Sequence, residues 1–237
     1  MENLAPNNKR IVKNTLLLYV RMLFLMVVSL YTSRVVLNAL GIEDFGIYNV
    51  VGGMVAMFSM LSGSLSAAIT RFITYELGRG DREKLRTIFS SAVTIQLSLA
   101  AIIIILAEVL GIWFLNSKMT IPLDRLAAAN WVFQFSVLTF AINLVSVPYN
   151  ASIIAHERMS AFAYISIFEA VGKLAIAYLI TISPIDRLVF YAILMCAVAL
   201  IVRFTYGIYC KRHFEECMYH FIFDKNSKRN TVTNVNT

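Results

Sequence analysis

Apolar residues fall in six long blocks: Thr15–Leu37, Gly46–Leu77, Thr87–Leu115, Leu126–Ile154, Ala161–Ile182 and Leu188–Cys210. Each runs about 20 residues or more, enough for a helix to cross the roughly 30 Å hydrocarbon core of a bilayer. With no water there, each segment must satisfy its own backbone N–H and C=O groups, so the blocks are predicted to be helices. The pattern therefore predicts an all-α membrane protein. Residues 1–14 form a polar N-terminal segment, 15–210 a lobe of six transmembrane helices, and 211–237 an amphipathic stretch with a polar tail. The second block is too long for one straight crossing, and Gly52–Gly53 and Gly63 are where it is expected to bend or tilt. The first block follows a basic start, but it exceeds the roughly 7–15-residue core of a signal peptide. No small-residue cleavage site follows it, so it reads as an anchor.

Composition agrees with the pattern: 59% of the residues are hydrophobic and 15% charged, against roughly 45–50% and about 25% in soluble domains. Lys and Arg sort to one side. Thirteen lie in the N-terminus (Lys9, Arg10, Lys13), the 79–86 loop, Arg158 and the segment after Cys210; only Lys118, Arg125 and Arg187 lie in the opposite loops. The positive-inside rule then places both termini in the cytoplasm. The net charge of +7 is mainly this bias. No loop interleaves basic and aromatic residues, so no nucleic-acid partner is implied. Cys196, Cys210 and Cys217 lie in or near the inner helix ends, where a reducing compartment keeps thiols unpaired.

Five basic residues lie inside the blocks: Arg21, Arg34, Arg71, Lys173 and Arg203, with Glu108 and Glu169 the acidic ones. A charge at mid-membrane costs about 2.5–3.5 kcal/mol even on lenient scales, whereas an apolar residue returns about 0.3–0.6 kcal/mol. For Arg34, Arg71 and Arg203, within a few turns of a block end, two readings stand: the head snorkels to the interface, or it faces a polar cavity. Glu169 and Lys173 are spaced i, i+4 with Glu first, which suits an intrahelical pair; a structural and a functional pair are both open. Arg21 lies deeper, between LLLYV and MLFLMVV, and is expected to face a cavity. The excess is cationic, and arginine's planar fork suits phosphate or carboxylate. An anionic cargo follows, with Arg21, Arg34, Arg71 and Lys173 as candidate contacts. Glu108 or Glu169 is a candidate for ion coupling.

SMLSGSLSAAIT (59–70) interleaves small residues that let helices pack closely or slide. Pro148 in VSVPYNASIIA removes a helix hydrogen bond and is a candidate hinge or a simple kink. Cys210, His213, Cys217 and His220 imitate zinc spacing, but on one helix the outer two would stand about 15 Å apart, so no metal site is assigned. No nucleophile elbow, zincin or P-loop motif occurs, and no cofactor is called for.

Three stretches carry a resemblance: KNTLLLYVRMLFLMVVSLYTSRVVLNALGIEDFGIYNVVGGMV, then SAAITRFITYELGRGD, then VPYNASIIAHERMSAFAYISIFEAVGKL. In this order, and extended by YCKRHFEECMYHFIFDKN, they resemble the polysaccharide (O-antigen) flippases of the multidrug/oligosaccharidyl-lipid/polysaccharide exporter superfamily, over roughly Lys13 to Asn226. The resemblance implies a multi-pass transporter of the bacterial cytoplasmic membrane. Its cargo would be undecaprenyl-diphosphate-linked oligosaccharide, moved by alternating access between two lobes, with membrane lipids around it. In that frame LGIEDFGIYNV is a short outer turn in which Gly41 and Gly46 permit a tight reversal, and Arg34 stands near the cavity mouth. Members of the family are about twice this length, so the chain reads as the first lobe. A truncated product and a half-transporter that pairs with a second lobe or a second copy are both carried forward. Three other readings are a multidrug exporter, which would favour acidic cavity residues; a membrane enzyme of glycan assembly, which would want a large outward loop; and an inactive remnant.

Overall fold

A computed structural model describes residues 4–119, 121–122, 124–183 and 186–217. Among them the regular structure is helical: α1 (Leu4–Ala56), α2 (Ser59–Arg79), α3 (Arg82–Leu106), α4 (Ile112–Ser117), α5 (Leu126–Ala155), α6 (Met159–Leu179) and α7 (Arg187–His213). A π-turn (Ala107–Gly111) joins α3 to α4, and 3-10 turns occupy Ile180–Ile182 and Glu215–Cys217. Among the described residues five stretches are long and apolar enough to cross a membrane: Val12–Ala56, Arg82–Ser117, Leu126–Ala155, Met159–Ile182 and Arg187–His213. The first two expected blocks thus meet within one stretch, and α2, diluted by Ser and Gly, is not among the five.

α1 is two helical runs joined at Gly41, whose φ of 84° and ψ of 170° cannot continue a helix. Only glycine adopts that conformation readily. Gly46, expected to share the reversal, is helical instead. Arg21 and Asn49 line one cleft, although a straight helix would separate them by about 42 Å; the chain therefore changes direction at Gly41. The long second block breaks between α1 and α2 at Met57–Phe58, not at Gly52–Gly53 or Gly63. Gly80 ends α2 in the left-handed conformation (φ 74°), its N–H donating to the Glu76 and Leu77 carbonyls. Asp81 then caps α3 by accepting from the Lys84 N–H at 3.1 Å.

α5 is apolar all round and lies centrally, with buried side chains from Ala129 to Ile153. At one end, Ile47, Val51, Leu115, Phe133 and Leu188 pack as one cluster. There the Gly111 backbone lies so close to the Phe133 ring that a Cβ would come within 2.2 Å of it. The same end is tied by charge. Arg125 bridges Asp44 at 2.7 Å and Asp186, and Arg187 donates to the Ala39 carbonyl at 3.1 Å.

At the other end Phe89, Ile153, Val202, Tyr206 and Phe214 form a second cluster. Phe214 leaves the helical conformation, and its ring stacks on His156 at 4.0 Å. His156 Nε2 reaches Glu216 Oε1 at 3.0 Å, so the segment after α7 clasps the turn after α5. The three cysteines are free and buried. Of the expected C-terminal segment, residues 218–237, including His220, lie outside the described residues.

Two predictions follow from these joints. Gly41→Ala meets open space but a forbidden backbone, so it should lower stability by about 1–3 kcal/mol, while Gly46→Ala should be neutral or slightly stabilising; thermal unfolding in detergent tests the contrast. The clasp should also depend on pH. Burial opposes protonation of His156, but the Glu216 carboxylate and the Ser152 carbonyl outweigh it and hold the imidazole above 6.5. Burial raises Glu216, but the His156 hydrogen bond outweighs it and holds the carboxyl below 4.5. The raised histidine contributes stability that is complete below 6.5 and lost as pH climbs through its folded value; the lowered glutamate contributes above 4.5 and is lost as pH falls through its own. Clasping is thus tightest between about pH 4.5 and 6.5. Hydrogen exchange at 214–217, corrected for intrinsic rates, should rise from pH 6 to 8, and His156→Gln should remove that rise.

Candidate functional site: a polar cleft between α1, α6 and α7

A half-open cleft of about 370 Å³ lies between both runs of α1, α6 and α7. Its first wall comes from one helical stripe: Arg21, Leu25, Val28 and Thr32 recur at i, i+4, i+7 and i+11. Residues at this spacing share one face of a helix. Ser166, Glu169 and Lys173 repeat the logic on α6, while Phe45, Tyr48 and Asn49 enter from beyond Gly41. Tyr48 and Tyr191 meet edge to face at 4.7 Å between ring centroids. Just beside the cleft, the Tyr31 and Tyr178 hydroxyls hydrogen-bond at 2.7 Å, joining α1 to α6.

Two cations occupy this cleft in different states. Lys173 Nζ lies 2.6 Å from Glu169 Oε1, a half-exposed pair within one helix. Arg21 has no carboxylate within ion-pair distance among the described residues. Its guanidinium carbon sits 4.3 Å from the centroid of the Phe162 ring, and its buried Nε has no acceptor. The Thr32 hydroxyl is likewise buried without a partner. The cleft therefore carries one net positive charge and donors suited to a multiply charged oxyanion.

The remaining predicted residues lie elsewhere. Arg34 and Arg71 are exposed and do not line the cleft. Arg34 follows Arg21 by 13 residues, which turns it about 140° away around the helix. Glu108 lies in the π-turn and accepts from Gln134 Nε2 at 3.1 Å. Pro148 is buried within α5. Residues not singled out from the sequence, Thr32, Asn49, Ser166 and Tyr191 among them, supply much of the polar lining. The stripe through Arg21 could have found Thr32.

A larger concavity of about 710 Å³ opens beside the His156 clasp. Five carboxylates there face three arginines and two histidines, and Arg82 pairs with Glu215 at 2.6 Å. Those charges largely answer one another, so the smaller cleft is the stronger candidate.

The family described as polysaccharide biosynthesis protein matches residues 11–236. The chain belongs to that family. The chain is also similar to an uncharacterized membrane protein, EpsK of Bacillus subtilis (strain 168), 22% identical over 124 residues. That stretch is 52% of this chain and 24% of EpsK, so the matched region spans well under two thirds of that relative. No solved structure matches. Family and apolar helices together make the chain a multi-pass membrane protein of polysaccharide biosynthesis.

The pairing of Lys173 gives a test specific to this cleft. Glu169→Gln should release the ammonium and strengthen binding of inorganic pyrophosphate by about two- to fivefold, the scale of a part-exposed ion pair. Lys173→Gln should weaken it. Titration calorimetry on detergent-solubilised protein measures both, and equal affinities would place the anion elsewhere.

Proposed function

We propose that the chain is the first lobe of a flippase that carries lipid-linked oligosaccharide across the bacterial cytoplasmic membrane. The cargo's diphosphate enters the α1–α6–α7 cleft while its lipid tail stays in the bilayer. The observation that carries this reading is Arg21, charged, half-buried, with no carboxylate within ion-pair distance among the described residues, and facing a polar cleft in an apolar bundle. A cation so placed is the counter-charge for a phosphate. Membership of a polysaccharide biosynthesis family supports a glycan as the rest of the cargo.

In this reading both termini are cytoplasmic, and the end tied by Arg125 and Asp44 faces outward. A second lobe, supplied by a longer chain or by another copy, closes the cleft from the far side, and transport proceeds by rocking of the two. Arg21 and Lys173 contact the diphosphate. Arg34 and Arg71 guide it at the rims. Glu108, held by Gln134, or Glu169 exchanges the driving ion, and Pro148 loosens α5 during rocking. A multidrug exporter would instead want an unpaired carboxylate in the cleft, and Glu169 is already paired with Lys173.

Complementation of a flippase-deficient strain tests this. The chain extended by a second lobe should restore surface glycan, and Arg21→Gln in that form should reduce export at least tenfold with the protein still present in the membrane. Full export by that variant would remove Arg21 from the cargo site. Rescue by the unextended chain would instead favour pairing of two copies.

A further inference from the structure

A second groove, of about 320 Å³, opens between α3, α5 and α7. Its floor is kept low by the buried Ala100 and Ala141, the exposed Ala101 lies at its lip, and Leu97, Ile104 and Leu200 form its sides. Every lining residue is aliphatic except Arg203. On α7, Tyr191 of the cleft and Leu200 of the groove are nine residues apart and so project about 180° apart. The groove therefore opens on a different side of α7 from the cleft, where Leu97, Ala101 and Leu200 leave an exposed apolar surface.

Arg203 marks one end. Its guanidinium carbon lies 3.8 Å from the centroid of the Tyr149 ring. One of its terminal nitrogens extends a turn along α7 to Gly207, where a Cβ would stand 3.1 Å from it. The head thus runs toward the end of the bundle held by Phe214 and His156, while the stem stays against the aliphatic wall. Among the described residues no carboxylate lies within ion-pair distance of it.

We propose that this groove holds one acyl chain of an anionic diacyl phospholipid, with the lipid phosphate on Arg203. An aliphatic trough on the membrane face suits a hydrocarbon chain. A lone guanidinium at the trough's end, sharing its charge only with an aromatic face, supplies the complement to one phosphate. Basic pockets between transmembrane helices take anionic headgroups by the same chemistry. The phosphate bridges Arg203 to the headgroup layer, and the chain seals α3 against α7 across the alanines. The groove is separate from the cargo cleft, and nothing in this assignment depends on what that cleft carries.

The test is native mass spectrometry of the purified full chain, titrated with phosphatidylglycerol and with phosphatidylcholine of the same acyl composition. Wild type should prefer phosphatidylglycerol by about fivefold, the effect of one basic residue on an anionic headgroup. Arg203→Gln should abolish the preference while both lipids still bind. Arg203→Met, which keeps the apolar stem, gives the same reading should the first variant fail to fold. Ala101→Phe, at an exposed position on the lip, should weaken both lipids about equally. Three results would each overturn the assignment: no preference in wild type, a preference that survives loss of Arg203, or Ala101→Phe without effect. So would a preference removed by Arg21→Gln instead, because the headgroup would then sit in the cleft.

Discussion

Arg21 has to be kept from the hydrocarbon, and the arrangement of α1, α6 and α7 reflects how that is done. The first run of α1 exposes Leu16, Val20, Leu23, Val27 and Leu30, a surface suited to acyl chains or to a partner. A guanidinium on that surface would cost several times what each leucine contributes to insertion. Arg21 lies instead on the stripe that faces α6, above the Phe162 ring and beside serine, threonine and asparagine side chains. The aromatic face accepts part of the charge. The cleft supplies the rest as polar surface rather than as a carboxylate. A carboxylate would have neutralised the arginine and made it structural; leaving it without one keeps the charge available to a guest.

The two ends of the bundle are held by different means. At the Gly41 end, Arg125 reaches both Asp44 and Asp186, fastening the segment before α5 to α1 and to the start of α7. Asp44 is 4% exposed. A carboxylate so buried costs several kcal/mol to desolvate unless it is paired, so Arg125 is the condition for the α1 turn at Gly41 to fold inward. At the other end the clasp uses a histidine and two aromatic rings, with Glu216 buried against His156. The histidine clasp weakens as pH climbs above 6.5, so this end of the bundle loosens with pH.

Much of the helical layout was legible in the sequence because hydrocarbon leaves the backbone so few choices. The starts expected at Leu126, Ala161 and Leu188 fall within two residues of those of α5, α6 and α7. The errors lie where local backbone chemistry decides. Gly41 and Gly46 are alike in sequence, yet one takes a conformation reserved for glycine and the other stays helical. No periodicity tells them apart. The break at Met57–Phe58 carries neither Gly nor Pro, so it had no marker. In the cleft, Arg21 and Lys173 were readable as charges out of place, but charge alone did not say which face each occupied. Helical phase would have set Arg34 apart from Arg21. Nothing local in the sequence announces the role of Asp44, because its partner Arg125 lies 81 residues away.

α7 connects these features. One of its faces gives Tyr191 and Met195 to the polar cleft, and another gives Leu200 and Arg203 to the aliphatic groove. Its N-terminus is capped by Asp186, the same carboxylate that Arg125 holds, and its C-terminus runs into the His156 clasp. A rotation of α7 about its own axis would therefore change both concavities at once and strain both end ties. Close-packed interiors resist such motion unless the packed surfaces have a second arrangement to move into. The groove lined by small alanines leaves α7 room on one side, so a hydrocarbon chain lodged there would limit how far α7 can turn.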